Sequence, residues 1–364
     1  MSVRGQAGVL RALKEPFSIE EVEMLPLDPT RVIVKTHASP FCSTDVKNWK
    51  GLLYKIPPTI LGHASIGEVV EVGSEVRGIS VGERVVVPGT PECGHCYFCS
   101  IGEPWQCSEL FDLGGIYPDI ARGDDGALIS CAGCVGGYAE YMSISGNQVF
   151  PIESDLDSTV LSMLGCGIST GVGSVFNVAK VKPGESVAII GAGHLGLWMV
   201  QAARLAGAGS IIVVEPHAGR LALAGEMGAD HLVSSDALAT VLSLTEGRGA
   251  DVTLEAAGPT ASQRLAVEAT RRAGRVVLTG FEIGGAELTL PQVQTALQSR
   301  QILSSQNGQV HMRSDLQRYA GMIESGLLDP SKILTRTYEL SELDLARDRS
   351  GSYEDVCGVI VFDH

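Results

Sequence analysis

Aromatic residues are scarce in this chain, 5% of 364 positions, and charged residues make up only 19%. A basic excess is also missing, since 27 Lys and Arg stand against 42 Asp and Glu for a net charge of -15. With no basic stripe to neutralise a run of phosphates, nucleic acid is not an expected partner. The segment from Met1 to Ser18 carries Arg4, Arg11, Lys14 and Glu15 and lacks the continuous apolar core of a signal peptide. No internal repeat or low-complexity tract occurs. Long apolar runs are missing with one exception, Ser186 to Ala203, which holds no formal charge and is nearly as long as a membrane span. Glycines at 191, 193 and 196 and the polar His194 interrupt it where a strand would pass into a helix, so no membrane segment is expected.

What is present is a chain with 45% hydrophobic residues, enough for two cored domains. Short alternating strands with Gly and Pro punctuation fill the first 160 or so positions, as in Arg31 to Lys35, Gly67 to Val72 and Glu83 to Val87. After Pro183-Gly184 the texture changes to apolar strands alternating with Ala-rich helical segments: Val187 to Ile190, Ile211 to Val214, Val252 to Glu255 and Val276 to Leu278. Such alternation implies a parallel sheet covered by helices. From about Gln306 the mixed pattern returns and ends in Val356 to Phe362, which is expected to rejoin the first domain. Gly165 to Val178 is the expected crossing between domains.

Gly191-Ala-Gly193-His194-Leu195-Gly196 follows an apolar strand and opens the segment Leu197 to Leu205. That is the context of a dinucleotide fingerprint: the glycines let the backbone approach a pyrophosphate at the positive end of a helix. Glu215, nineteen residues beyond Gly196, ends the next strand, where a carboxylate accepts the adenosine ribose hydroxyls and repels a 2'-phosphate. NAD is therefore expected over NADP. Arg220, just past the acid, would partly accommodate a phosphate, but the carboxylate at the strand tip should dominate.

Nine cysteines occur. Cys93, Cys96, Cys99 and Cys107 have C-x2-C-x2-C-x7-C spacing, suited to one structural zinc held by four thiolates. Disulfides, unrelated core thiols or a nucleic-acid-binding zinc ribbon are the other readings, and Glu92, Glu103 and Glu109 in place of Lys and Arg disfavour the last. His95 within the loop reads as a solvated turn residue. Thiols gathered to hold metal suggest a reducing compartment, the cytosol. Cys131 and Cys134 form a further C-x2-C pair, either a redox couple or extra metal half-site or, the favoured reading, two partly buried thiols, because no further Cys or His cluster lies near in sequence; Cys357, in an apolar terminal strand, reads as a core thiol. Cys42, His63 and Cys166 are far apart in sequence and could meet only in a folded domain. Three such ligands and an open fourth position describe a catalytic zinc.

Cys42-Ser-Thr-Asp45, Gly62-His63, the cysteine quartet, Gly137-Tyr-Ala-Glu-Tyr141, Gly165-Cys166-Gly-Ile-Ser-Thr170-Gly171 and the Gly191 to Gly196 loop together resemble the zinc-dependent medium-chain alcohol dehydrogenases, over essentially the whole chain. The resemblance implies an α/β chain with a GroES-like, mostly-β catalytic domain at 1–164, bearing a structural-zinc loop at 92–108. A doubly wound Rossmann coenzyme domain would follow at 165–305, and 306–364 would return to the first domain. It implies two zinc ions per chain, the catalytic one on Cys42, His63 and Cys166, with Thr44 taking the substrate proton and Asp45 orienting the His63 ring. Thr170 would lie against the nicotinamide, and Ser43, Ala257, Gly280 and Phe281 join the coenzyme-binding set. A homodimer or homotetramer is implied, acting on a small alcohol or carbonyl substrate.

Departures from the family pattern sharpen the expectation. Ala64 stands where Gly-His-Glu is common, which removes a glutamate that serves polyol dehydrogenases as a zinc ligand and points to the alcohol dehydrogenase branch. Lys47 replaces the histidine that often ends the proton relay. Ser43 and Ser352-Tyr-Glu-Asp355 replace basic coenzyme anchors, so binding should rest more on the helix N-terminus at Gly193 to Gly196. Trp49, Leu52, Leu53, Tyr54 and Phe111 to Tyr117 are candidates to line a pocket for a hydrophobic or aromatic alcohol. A carbonyl reductase on the same scaffold and a non-catalytic zinc-stabilised binding protein are the alternatives; the intact set Cys42, Thr44, His63 and Cys166 argues against the second.

Overall fold

The computed structural model describes residues 3–53, 57–113 and 117–362. The chain divides into two compact units: Met1–Cys166 with His311–Ser325 and Pro330–His364, and Gly167–Val310 with Gly326–Asp329. The boundaries thus fall at 166/167 and 310/311, not at 164/165 and 305/306. Cys166 stays with the unit that holds Cys42 and His63. The turn after the last parallel strand stays with the second unit because Gly308 lies against Gly173, where a Cβ would sit 2.8 Å from the Gly308 Cα.

In the first unit the strands Arg4–Leu10, Ser18–Met24, Asp119–Gly123, Leu128–Cys131 and Thr59–Ile60 close into a barrel. Val9, Leu10, Val22, Ile60 and Ile129 are buried together at 0–1% exposure; Val9 and Leu10, adjacent in sequence, point to opposite faces, so both faces of the Arg4–Leu10 strand are covered at this end. A second sheet is built around the long strand Arg31–Phe41, with Ser65–Val72 on one side and the terminal strand Cys357–Val361 on the other. The terminal strand pairs antiparallel, Gly358 opposite Phe41 and Val361 opposite Ala38, so the last segment rejoins this unit as its apolar run suggested.

The second unit is a six-stranded parallel sheet in the order His231–Val233, Ser210–Val214, Ser186–Ile190, Ala250–Glu255, Thr270–Leu278 and Gln301–Ser304. This is the doubly wound Rossmann order, and its direction reverses between Ser186–Ile190 and Ala250–Glu255. Strands buried on both faces must be apolar throughout, which is why Val187–Ile190 and Ile211–Val214 show no alternation. The uncharged run is therefore a strand, a turn and the helix His194–Leu205. Among the described residues no single helix is long and apolar enough to cross a membrane.

Candidate active site

The helix Ser43–Trp49 begins where the strand Arg31–Phe41 ends. Cys42 is its N-cap, and Asp45, at the third helical position, folds back to accept the Cys42 N–H at 3.1 Å. Such a cap satisfies a donor that the first turn leaves open. Asp45 is wholly buried and does more than cap. Its carboxylate also takes the Gly62 N–H at 3.2 Å and faces His63 Nδ1 at 3.2 Å. One carboxylate therefore ties the backbones before and at two cysteine- and histidine-bearing segments and fixes the ring between them. With Nδ1 so engaged, His63 Nε2 points at Cys166 Sγ, 3.3 Å away.

Cys42 Sγ, His63 Nε2 and Cys166 Sγ lie within 4.8 Å of one another. A tetrahedron with Zn–S and Zn–N arms has edges of about 3.3–3.8 Å, and two thiolates with an imidazole are a preferred zinc donor set, so the residues fit that ion. The groups interact strongly. Hydrogen bonding to Cys166 draws Cys42 well below the usual thiol value against the effect of burial, while Cys42 and burial push Cys166 well above it. Burial acts to lower His63, but Asp45 and Cys166 outweigh it and hold the imidazole well above its usual value. Thr44, half-buried, starts the same helix and its N–H points at the Cys42 sulfur. Lys47 is one turn further on and half-buried; Ser43 is exposed.

The four loop cysteines also converge, with every sulfur within 4.8 Å of the others. Cys93 Sγ accepts the Cys96 N–H at 3.3 Å and Cys96 Sγ the Cys99 N–H at 3.5 Å. Backbone N–H groups of Cys99 and Ser108 lower Cys96 to about 6, as a site built for thiolates requires, whereas burial raises Cys107. The His95 ring faces the Cys93 carbonyl at 3.1 Å, consistent with a turn residue. None of the nine cysteines is in a disulfide. Among the described residues no cluster of three possible ligands includes Cys131, Cys134 or Cys357, and all three are buried.

In the second unit, Gly191 has φ +100° and a Cβ there would meet Ala257 at 3.1 Å; one on Gly196 would lie 1.9 Å from the Gly191 carbonyl oxygen. The turn can therefore form only with glycine at those positions. Gly193 caps the helix His194–Leu205, and among the described residues its open face has one neighbour, Arg220 Nη1, 3.6 Å from where a Cβ would be. A bare backbone, a helix N-terminus and a guanidinium side by side fit a pyrophosphate. The His194 ring covers Gly167, leaving no room for a Cβ, and Leu195 is half-buried. Glu215 accepts the Ala192 N–H at 2.8 Å and the His217 N–H at 2.9 Å, which locks its carboxylate to the phosphate turn. Gly280 and Phe281 follow the strand Thr270–Leu278 and pack on Gly258.

Thr170 is 8% exposed and donates to Asn307 Oδ1 at 2.9 Å, next to a hydroxyl cluster of Ser174, Thr279 and Ser305. Asn307 escaped the sequence reading, though Asn-Gly at 307–308 is a turn signal and both residues have positive φ. Glu255, also missed, is fully buried at the tip of its strand and holds the N–H groups of Ala257 and Gly258 at 2.9 and 2.7 Å.

The expected pocket wall needs correction. Trp49 lies under the Arg347 guanidinium at 4.4 Å and donates to the Glu15 carbonyl at 2.6 Å, so it packs the helix against the terminal segment. Leu52 and Phe111 are 46% and 48% exposed. Leu113 and Tyr117, with Pro91, Pro118 and Cys134, do line a cavity of about 320 Å³. Tyr54 and positions 114–116 lie outside the described residues. At the C-terminal end, Asp355 is buried against Tyr338, and Arg349 pairs with Glu354 at 2.8 Å.

A Cys-His-Cys donor set in one unit and a doubly wound sheet with a glycine turn in the other define a metal- and dinucleotide-dependent dehydrogenase. Residues 28–154 match the model of the alcohol dehydrogenase GroES-like domain and 195–325 that of the zinc-binding dehydrogenase domain. S-(hydroxymethyl)glutathione dehydrogenase of Synechocystis is 30% identical over 98% of this chain and 100% of its own length. The enzyme of that name from Escherichia coli O1:K1 is 31% identical over 95% and 96%. Among solved structures, an alcohol dehydrogenase zinc-binding domain protein from Burkholderia ambifaria superposes with a TM-score of 0.93 at 29% identity, covering 100% of both chains. Benzyl alcohol dehydrogenase from Acinetobacter calcoaceticus does so with 0.91 at 26%, covering 99% and 100%. The chain belongs to the zinc-dependent medium-chain alcohol dehydrogenase family.

Proposed function

We propose that this alcohol dehydrogenase oxidises a hydrophobic or aromatic alcohol with NAD, with one catalytic zinc on Cys42, His63 and Cys166 and one structural zinc on the cysteine quartet. When bound, zinc supplies a Lewis acid that makes the substrate hydroxyl acidic near neutral pH, and NAD supplies the hydride acceptor. The chain's own residues supply the rest. Asp45 holds the His63 ring and the Cys42 and Gly62 backbones in place, so the donor set needs little rearrangement. Thr44, at the start of the same helix, is the hydroxyl that receives the substrate proton. The Gly191 to Gly196 turn binds the pyrophosphate, with Arg220 as an adjacent cation.

The NAD preference is carried by Glu215, whose charge is held in the coenzyme turn by two N–H groups. The substrate class is supported by the likeness to benzyl alcohol dehydrogenase; the cavity of about 320 Å³ mixes Pro91, Leu113 and Tyr117 with Arg31, Glu109, Ser145 and Gln148 and does not carry it. Its wall residue Cys134 adjoins Gly133, which packs directly on the His63 Cβ. The test is a panel of aryl, alkyl and polyol alcohols with NAD, run alongside zinc analysis. Two zincs per chain and fastest turnover on aryl or alkyl alcohols are expected; preference for sugars or short polyols would overturn the substrate class. A homodimer or homotetramer is part of the proposal. Gln301–Ser304 is an open sheet edge, and the preceding helix exposes Val293 and Leu297 at 68% and 80%; a monomeric mass by light scattering would refute it.

A further inference from the structure

Tyr138 is fully buried and belongs to no part of the chemistry described so far, yet it touches the segments in front of both Cys42 and His63. Its ring stacks on Phe41, the residue before Cys42, with centroids 5.3 Å apart and planes 4° from parallel. Its N–H donates to the Leu61 carbonyl at 3.1 Å, and the N–H groups of Gly136 and Gly137 donate to the Gly62 carbonyl at 3.1 and 3.0 Å. A Cβ on Gly62 would come within 3.0 Å of the Tyr138 ring and 2.9 Å of the Gly137 nitrogen. Gly62 has φ +86°, so the turn that delivers His63 is pressed flat against Tyr138. The tyrosine is anchored in its turn, its carbonyl receiving the Gly8 N–H at 2.8 Å.

Phenylalanine would fill the same volume and stack as well. The hydroxyl is an extra, and a buried hydroxyl is costly unless it is bonded. This one has a single proton and two acceptors in reach, the Pro40 carbonyl at 3.4 Å, two residues before Cys42, and the Asp45 carboxylate, whose charge makes it the stronger acceptor. Burial first and Asp45 second push the phenol well above its usual value, so it remains a neutral donor. We propose that Tyr138 is a positioning residue for the catalytic metal site, its ring setting the approach of the Phe41-Cys42 and Gly62-His63 segments and its hydroxyl holding the Asp45 carboxylate that orients His63. The proposal rests on the zinc site assigned above.

Groups that orient metal ligands from behind typically change metal affinity by about 10–100-fold when removed. The experiment follows zinc release from the purified full chain into excess chromophoric chelator, without coenzyme or substrate. The quartet zinc serves as an internal control in the same molecule. His63→Ala should abolish one of two release phases; if both persist, the site assignment itself fails. Given that phase, Tyr138→Phe should release this zinc roughly tenfold faster, leave the quartet phase and the thermal midpoint near wild type, and lose its effect in an Asp45→Asn background. Tyr138→Leu, which also removes the stack, should release it faster still. Unchanged release in Tyr138→Phe, equal acceleration of both phases, or an undiminished effect in the Asp45→Asn background would each overturn the positioning role.

Discussion

Replacing Glu215 by Gln tests the coenzyme reading most directly. The carboxylate is 8% exposed and cannot swing away, because Oε2 is bound to the Ala192 N–H inside the phosphate turn and Oε1 to the His217 N–H. A 2'-phosphate on the adenosine ribose would therefore meet a fixed negative charge. Two unit charges about 5 Å apart repel by roughly 1–3 kcal/mol for effective dielectrics between 80 and 20. That range corresponds to a factor of about 5 to 150 in affinity. Arg220, 3.6 Å from the Gly193 Cβ position, attracts the same phosphate and moves the expected value toward the lower half. The neutral glutamine should thus shrink the NAD-over-NADP ratio of kcat/KM by about tenfold, chiefly by lowering KM for NADP. One N–H would then face an amide NH2, and the unmade hydrogen bond costs about 1–3 kcal/mol of stability, so a modest fall in Tm accompanies the shift. Steady-state kinetics with both coenzymes at fixed ionic strength reads the ratio. A ratio that does not move, or a wild-type enzyme that already uses NADP as well as NAD, refutes the reasoning.

Three more outcomes follow from the geometry. Gly196→Ala would place a methyl 1.9 Å from the Gly191 carbonyl; overpacking of about 1–3 kcal/mol should weaken NADH binding by tenfold or more in a fluorescence titration while zinc content stays at wild type. Cys107→Ala, which removes the buried member of the quartet, should lose roughly one zinc per chain and lower the thermal midpoint, with the second zinc retained. Asp251 is held below the usual carboxylate value: burial opposes this, and hydrogen bonds from Arg271 and Ser186 outweigh it. A depressed carboxylate contributes stability that is complete above its unfolded value near 4 and is lost as pH falls through the lower folded value. Asp251→Asn should therefore cost about 1–3 kcal/mol at pH 7 and progressively less below pH 4, read by urea denaturation at both pH values; a cost that grows in acid would contradict the sign.

Features fixed by local chemistry were readable in the sequence. Val187–Ile190 and Ile211–Val214 announce buried parallel strands because no polar residue interrupts them, and the Gly191 to Gly196 turn admits no other residue at 191 or 196. The cysteine quartet was visible because its four thiols lie within one short loop. Cys42, His63 and Cys166 needed a family resemblance, since 103 residues separate His63 from Cys166 and nothing local links them. Trp49 was misplaced for the same reason: its partner Arg347 is almost a chain length away, and an aromatic side chain gives no local sign of which surface it will cover. Asp45 was foreseen as a partner of His63, but its hold on the Cys42 and Gly62 backbones emerges only from three-dimensional closure.

Ala64 shows how a local absence becomes a structural device. Its Cβ lies 3.1 Å from where a Cβ on Gly165 would be, so the residue after His63 and the residue before Cys166 meet as a pair of small groups. Ala64 is fully buried, and its carbonyl accepts the hydroxyls of Ser39 and Ser65 at 2.8 and 2.7 Å, which fixes the peptide next to the histidine. A glutamate at 64 would bring a charge and four further heavy atoms into that contact, at the cost of either overpacking or an uncompensated buried carboxylate. In this chain the two ligand-bearing segments therefore meet across small side chains. On the proposed assignment, the same absence leaves two thiolates and one imidazole as the donors among the described residues, a composition that would keep a fourth zinc position for substrate.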